Sequence, residues 1–500
     1  VARASLRLIA TSAVLTALLC ATLNSEAGVF GHRRAAALSA GGGAGSNSGL
    51  YAGFTPTIYA APADVGSGNG SSEANAMDLP TALATASAGA IIGVTPGTYT
   101  GTNPNDRWTP AWRIAASGTS GSPIRVVAKY AAALYGTNLS EMRSGTTTEG
   151  AGGPAFGVNG YDYQEWIGFY VDETNSATHP DTGPAVLTGT TGSKILLSHI
   201  IGKTSYAPGD NHVGIRVEGT YGVTVADNKI HGFYCTVVSP INGTGIETYT
   251  SGNVTIRNNT IYDSGAGIHL KADGDDASSS GDTPDGLKGW FVVTRNFVHD
   301  VTKAGLVAGR SYSGYDRQIT QNILHAVNNT DDGYGLITWT YPPDEPRRLK
   351  IQNNTIYGSG SLVSGVFHKG VLEASNQFYN NIVVAPYRAI YQEGLVTFST
   401  TYWEAEHNCY YGYGTFGTIM GSNISLATYQ STYSMDQVSP SAVSTDPLFT
   451  NVGTLDFTLQ GGSPCRNVGR DLLNLSNLGV GATINAGAYI TGTETIGVRS

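Results

Sequence analysis

Along residues 190–410, apolar side chains recur at every second position in short runs. Each run closes near an asparagine, and a second short run follows. The copies read Val223-Thr-Val-Ala-Asp-Asn228-Lys-Ile230, Val254-Thr-Ile-Arg-Asn-Asn259-Thr-Ile261 and Phe291-Val-Val-Thr-Arg-Asn296-Phe-Val298. They continue as Arg317-Gln-Ile-Thr-Gln-Asn322-Ile-Leu324, Leu349-Lys-Ile-Gln-Asn-Asn354-Thr-Ile356 and Asn376-Gln-Phe-Tyr-Asn-Asn381-Ile-Val383. Successive asparagines lie 31, 37, 26, 32 and 27 residues apart, with His199 29 before the first and Asn408 27 after the last. A period of two predicts strands, and a unit of this length predicts a repeat that buries its apolar face only against neighbouring copies. A further strand opens on glycine in Gly214-Ile-Arg-Val-Glu218, Gly245-Ile-Glu-Thr-Tyr249 and Gly267-Ile-His-Leu-Lys271, then at Gly305, Gly335 and Gly365, and on alanine at Ala389. Three short strands and their turns make one rung of a parallel β-helix. The repeated asparagine suits a bend needing a left-handed residue, and its amide can hydrogen-bond from rung to rung.

Outside the array, Asp78-Leu-Pro80-Thr-Ala-Leu-Ala84 reads as a short helix with Asp78 as N-cap and proline in its first turn. Placed before the first full rung, it would shield the raw end of the stack. The repeat fades after residue 395, and residues 411–500 are expected to form the last rungs and the opposite cap. Residues 57–410 are expected to form the solenoid.

The chain resembles the secreted right-handed parallel β-helix proteins of the pectate-lyase-like superfamily over residues 57–490. The resemblance rests on Ile91-Ile-Gly-Val-Thr-Pro-Gly-Thr-Tyr-Thr-Gly101 near the start. Toward the end it rests on Asp446-Pro-Leu-Phe-Thr-Asn451, Asp456-Phe-Thr-Leu-Gln-Gly-Gly-Ser-Pro464 and Ile484-Asn-Ala-Gly-Ala-Tyr489. It implies an all-β, right-handed solenoid. It also implies a site along a strand face, with a Lys or Arg base and often Ca²⁺. The scaffold hosts lyases, hydrolases, epimerases and phage spikes, so it does not select an activity.

Composition narrows the partners. A net charge of −9 and a pI near 5.6 argue against nucleic acid. Residues 1–27 read as a secretory leader, with Arg3 and Arg7 before the apolar run Leu8–Leu23 and a small-residue cleavage site at Ser25-Glu-Ala27. Glycine and serine make 28–56 a linker. The protein is therefore expected to be secreted, without a membrane span, and monomeric. Cys235, Cys409 and Cys465 lie too far apart in sequence for a disulfide framework and read as buried free thiols, with a single pair as the alternative. The Asn-x-Ser/Thr sequons fall on the turns and read as ladder chemistry.

In the glycine-opened strands, the second and fourth residues after the glycine should face outward if the intervening apolar ones fill the core. That gathers Arg216, Glu218, Glu247, Tyr249, His269 and Lys271 on one outer face across three rungs. The inward positions Thr248, Thr338, His368 and Gln392 fit this register less well than the aliphatic ones. The longest step follows Lys271 and carries Asp273, Asp275 and Asp276, which could hold Ca²⁺, a hard cation served by oxygen ligands. Lys271, His269, Tyr249 and Glu247 are the candidate catalytic groups. Arg216, Glu218, Arg310, Trp339 and Lys369 are the candidate substrate contacts. The first reading is a lyase that cleaves an acidic, uronate-containing polysaccharide by β-elimination. The alternatives are a glycoside hydrolase using Glu218 and Glu247, and a surface β-helix that only binds glycan.

Overall fold

A computed structural model describes residues 50–101, 108–134, 139–144, 153–174, 183–203, 211–235, 240–271, 291–309, 317–327, 332–340, 349–370, 376–393, 403–437, 444–473, 482–491 and 494–498. The alternating runs form three walls of parallel strands wound into one solenoid. The first wall is a thirteen-stranded sheet from Met77–Asp78 to Trp403–Glu406. The second runs through Tyr170–Asp172, His199–Ile201 and Lys229–His231 to Cys409–Tyr411. The third runs through Phe156–Asn159, Ala185–Thr188, His212–Glu218 and Gly243–Tyr249 to Arg388–Glu393 and Thr415–Ile419. The second and third walls merge into one sheet because Thr260–Leu270 and Phe297–Ala308 bend around the corner between them, with register shifts at the bend.

The asparagine ladder forms. Each Nδ2 donates to the next Oδ1, from Asn228 to Asn259 (2.9 Å), through Asn296, Asn322, Asn354 and Asn381, to Asn408 (3.1 Å). Each Oδ1 also accepts the preceding rung's ladder backbone N–H, so the amide satisfies main chain that the bend leaves unpaired. Two expectations need correction. The left-handed residue is the one before the ladder asparagine, as at Asp227, Asn258, Arg295, Gln321, Asn353 and Asn380, with φ between 54° and 58°. The ladder position below Asn228 is held by Ser198, whose N–H donates to Asn228 Oδ1, while His199 opens the second-wall strand His199–Ile201.

The predicted register on the third wall is correct. Ile215, Val217, Ile246, Ile268, Leu270, Leu306, Leu336, Val366 and Ile390 line the interior. The inward polar residues are accommodated there as well: Thr338 Oγ1 lies 2.6 Å from His368 Nδ1 inside the solenoid. The short helix Leu79–Ala84 forms as expected, with Asp78 accepting the Thr81 N–H at 2.9 Å, and buries Leu79, Ala82 and Leu83 against the open end. Helix Leu426–Tyr433 closes the other end through buried Tyr429, whose hydroxyl accepts from Trp403 Nε1. Residues 50–56, assigned by composition to a linker, pack on the first wall, and the buried Tyr51 donates its hydroxyl to Glu73. From residue 444 the chain runs back along the second wall. It touches Asn380 through Gly487, Thr355 through Ala488 and Thr260 through Val498. The expected leader and residues 28–49 lie outside the described residues.

Candidate functional site

The third wall stacks two outward columns. One runs Arg216, Glu247, His269, Val307, Ile337, Phe367 and Tyr391, each in register with the next. The other pairs Glu218 with Tyr249 and, further on, Trp339 with Lys369 and Lys369 with Glu393. Lys271 follows Leu270 directly and continues this column over Tyr249.

The polar ends of the two columns interlock. Lys271 Nζ sits 3.0 Å from Glu247 Oε1, donates a hydrogen bond to the Tyr249 hydroxyl, and lies 4.7 Å from that ring's centre. Arg216 Nε donates to Glu218 Oε2 at 2.7 Å, and its Nη1 reaches Glu247 Oε2 at 3.5 Å. The Arg216 guanidinium is held between Tyr249, 4.1 Å away, and Trp108, 5.0 Å away. Two cations therefore face two carboxylates across one phenol.

The cluster is not the open patch that strand alternation predicts. Glu247 has 0% of its side chain exposed and His269 2%, against 26% for Lys271 and 29% for Glu218. The cover comes from outside the repeat. Trp108 lies over Arg216, and the turn Pro240–Asn242 brings buried Ile241 onto the wall, its backbone hydrogen-bonding to His269. This corrects the expectation that Glu247 and His269 act on substrate, because neither reaches the surface. Burial lifts the Glu247 carboxyl above its usual range, although Lys271 and Arg216 pull it the other way. Burial, with Lys271 and Arg317 nearby, pushes His269 well below the usual imidazole value and keeps it neutral. Arg317, which pattern reading missed, is buried and donates from Nη1 to the Gly309 carbonyl at 2.7 Å. It opens a first-wall strand, away from the glycine-opened strands, and Trp108 lies in a stretch without repeat.

The paired-carboxylate arrangement also fails on geometry. Glu218 and Glu247 lean on the same Arg216 guanidinium, and Glu247 has no exposed surface where a water could be activated. Lys369 lies three rungs past Lys271, 3.8 Å from Glu393, and is partly exposed. Trp339 occupies the expected strand position, but its side chain lies outside the described residues, as do Arg310, Asp273, Asp275 and Asp276. Among the described residues, no group of three His, Cys, Asp or Glu gathers to hold a metal, and no helix is long and apolar enough to cross a membrane.

A family model described as right handed beta helix region matches residues 117–283. The solved pectate lyase Pel9A superposes with a TM-score of 0.53 at 17% identity, covering 89% of this chain and 99% of its own. The chain has a right-handed parallel β-helix fold, similar to that of this lyase. The catalytic unit of the GH87 alpha-1,3-glucanase from Streptomyces thermodiastaticus strain HF3-3 is also similar, with a TM-score of 0.43 at 12% identity, covering 79% of this chain and 68% of its own. No curated protein matches the sequence. At these identities the likeness of this β-helix extends to the fold and not to an activity.

Proposed function

We propose that this β-helix is a secreted polysaccharide lyase that cleaves an acidic, uronate-containing glycan by β-elimination at the Lys271 end of the cluster. The observation that carries the reading is Lys271 Nζ, partly exposed, lodged between a buried carboxylate and the Tyr249 hydroxyl. Elimination needs a base for the proton beside the uronate carboxylate, cationic stabilisation of the carbanion-like intermediate, and an acid for the departing oxygen.

In this scheme Lys271, which rests as the cation paired with Glu247, first releases its extra proton to solvent, and the free amine then takes the proton from the carbon next to the substrate carboxylate. The freed electron pair forms the ring double bond as the glycosidic carbon–oxygen bond breaks. The leaving oxygen takes the Tyr249 hydroxyl proton, and the Lys271 ammonium returns a proton to the phenolate along the existing hydrogen bond. Arg216, anchored by Glu218, supplies positive potential beneath the sugar carboxylate, and Lys369 serves a uronate further along the chain. Glu247 positions Lys271 rather than touching substrate. Asp273, Asp275 and Asp276 would hold a Ca²⁺ ion, which would supply further neutralisation of substrate charge; no step above passes through it.

The test is incubation with pectate, alginate and a neutral glycan, with and without EDTA, reading ultraviolet absorbance from unsaturated ends and, separately, new reducing ends. Absorbance on an acidic substrate is expected, and loss with EDTA would support the ion. Reducing ends without absorbance would overturn elimination in favour of hydrolysis. Silence in both channels on every substrate would leave binding as the function.

A further inference from the structure

We propose that His199 and His231 form a binding site for a divalent transition-metal ion on the second wall, separate from the Lys271 cluster. His199 opens the strand His199–Ile201 and His231 closes Lys229–His231, so the two imidazoles project from adjacent rungs. Their Nε2 atoms face each other at 3.1 Å. With metal–nitrogen bonds of about 2.0–2.1 Å, two adjacent ligands stand about 2.9 Å apart at a right angle and about 3.4 Å apart at the tetrahedral angle. The observed separation lies between these values, so an ion can enter with little ring movement.

Packing fixes both rings. His231 stacks on Tyr262 at 4.4 Å with planes 13° apart, and Tyr262 stacks on His299 at 5.0 Å. Tyr170 meets His199 edge-on at 5.5 Å, and its own hydroxyl is held by Asp172 at 3.0 Å. Such support removes much of the ordering cost that a surface pair of histidines would bear on ligation. Burial brings both imidazoles down to about 4, so at neutral pH both are in the form that ligates.

The charged neighbours act in opposite directions. Asp172 contributes negative potential to both rings, and Lys229, in register with His199, opposes it. Among the described residues no third His, Cys, Asp or Glu completes a ligand group, so the proposed site is two imidazoles with the remaining positions open to water. Two imidazoles and water suit Cu²⁺, Ni²⁺ or Zn²⁺ and not Ca²⁺ or Mg²⁺. Lys229 and Tyr262, neighbours of the pair, also line a cleft of about 800 Å³ between this wall and the returning C-terminal segment. The rival arrangement, which keeps the same atoms without metal, is a single N–H···N bond between two neutral rings.

Calorimetric titration of the untagged, metal-stripped protein with Cu²⁺ and with Zn²⁺ separates the two, using His199→Gln, His231→Gln and, as a control on the same wall outside this stack, His325→Gln. Circular dichroism confirms that each variant is folded. One ion per chain is expected, weakened at least tenfold by either of the first two substitutions, unchanged by the third, and not displaced by excess Ca²⁺. The proposal is overturned by absence of saturable binding, by binding that survives both substitutions, or by equal loss in His325→Gln.

Discussion

Glu247 reaches no solvent, yet carries two cations, Lys271 at 3.0 Å and Arg216 at 3.5 Å. Removing one member of a buried charge group leaves the others uncompensated. Glu247→Ala should therefore cost about 3 kcal/mol, the lower end of the buried-pair range because Lys271 can turn to water and Arg216 keeps Glu218. Denaturant unfolding checks this, and a loss below about 1 kcal/mol would mean that the carboxyl is already protonated and silent. Sequence alternation correctly placed this residue outside the core, because Ile246 and Thr248 on either side point in. It could not foresee the burial, since the covering side chains Trp108 and Ile241 belong to segments with no period. A second residue carries a pH signature. Asp436 ends the asparagine ladder, accepting from Asn408 Nδ2 at 3.0 Å and from the Tyr410 hydroxyl at 2.8 Å. Burial outweighs these bonds and lifts its carboxyl from 3.8 to about 6. The folded state then holds a proton that the unfolded chain has released. The contribution of this group is full below about 3.8 and is lost as pH rises through about 6. Unfolding free energy measured across that window should fall with rising pH, and Asp436→Asn should flatten this component.

At the scale of the element, the ladder is the most demanding part of the fold. Asn322 sits in its middle, donating to Asn354 Oδ1 and accepting both the N–H and the Nδ2 of Asn296. Asn322→Ala strands several buried polar groups at once, each worth about 1–3 kcal/mol. Its transition midpoint in urea should drop far more than that of Asn451→Ala, an exposed turn asparagine. Equal shifts would show that the ladder is decoration. The rung spacing made this element legible, because one residue type returned wherever the chain turned. It did not reveal which residue takes the left-handed bend, since in Asn258-Asn259 or Asn353-Asn354 either partner tolerates it. The ladder member keeps its amide for rung-to-rung bonds, which leaves the bend to its predecessor. The histidines and tyrosines of the second wall also escaped pattern reading. Several of their strands, such as His199–Ile201 and Lys229–His231, are only three residues long and show little alternation.

Across the whole molecule, the walls are used differently. The first is part of the closed cylinder, the second carries the returning C-terminal segment, and the third carries the charged cluster. Phe457 anchors that segment, buried against Phe297, His325, Tyr357 and Phe449. Phe457→Ala should cost about 3–5 kcal/mol in stability. Below its melting range it should leave the rate at Lys271 unchanged, because that cluster projects from another wall; a matching loss of rate would contradict this division. The architecture was legible because a solenoid repeats its instructions, whereas its site depends on single insertions between rungs. The central claim is that the Lys271–Tyr249 pair performs elimination. Its most direct measurement is the initial rate of unsaturated-end formation on an acidic polysaccharide, for the wild-type protein and for folded Lys271→Ala. The account predicts a loss of about 10²–10⁴-fold, the usual worth of a positioned acid–base group. An unchanged rate in the variant would contradict it.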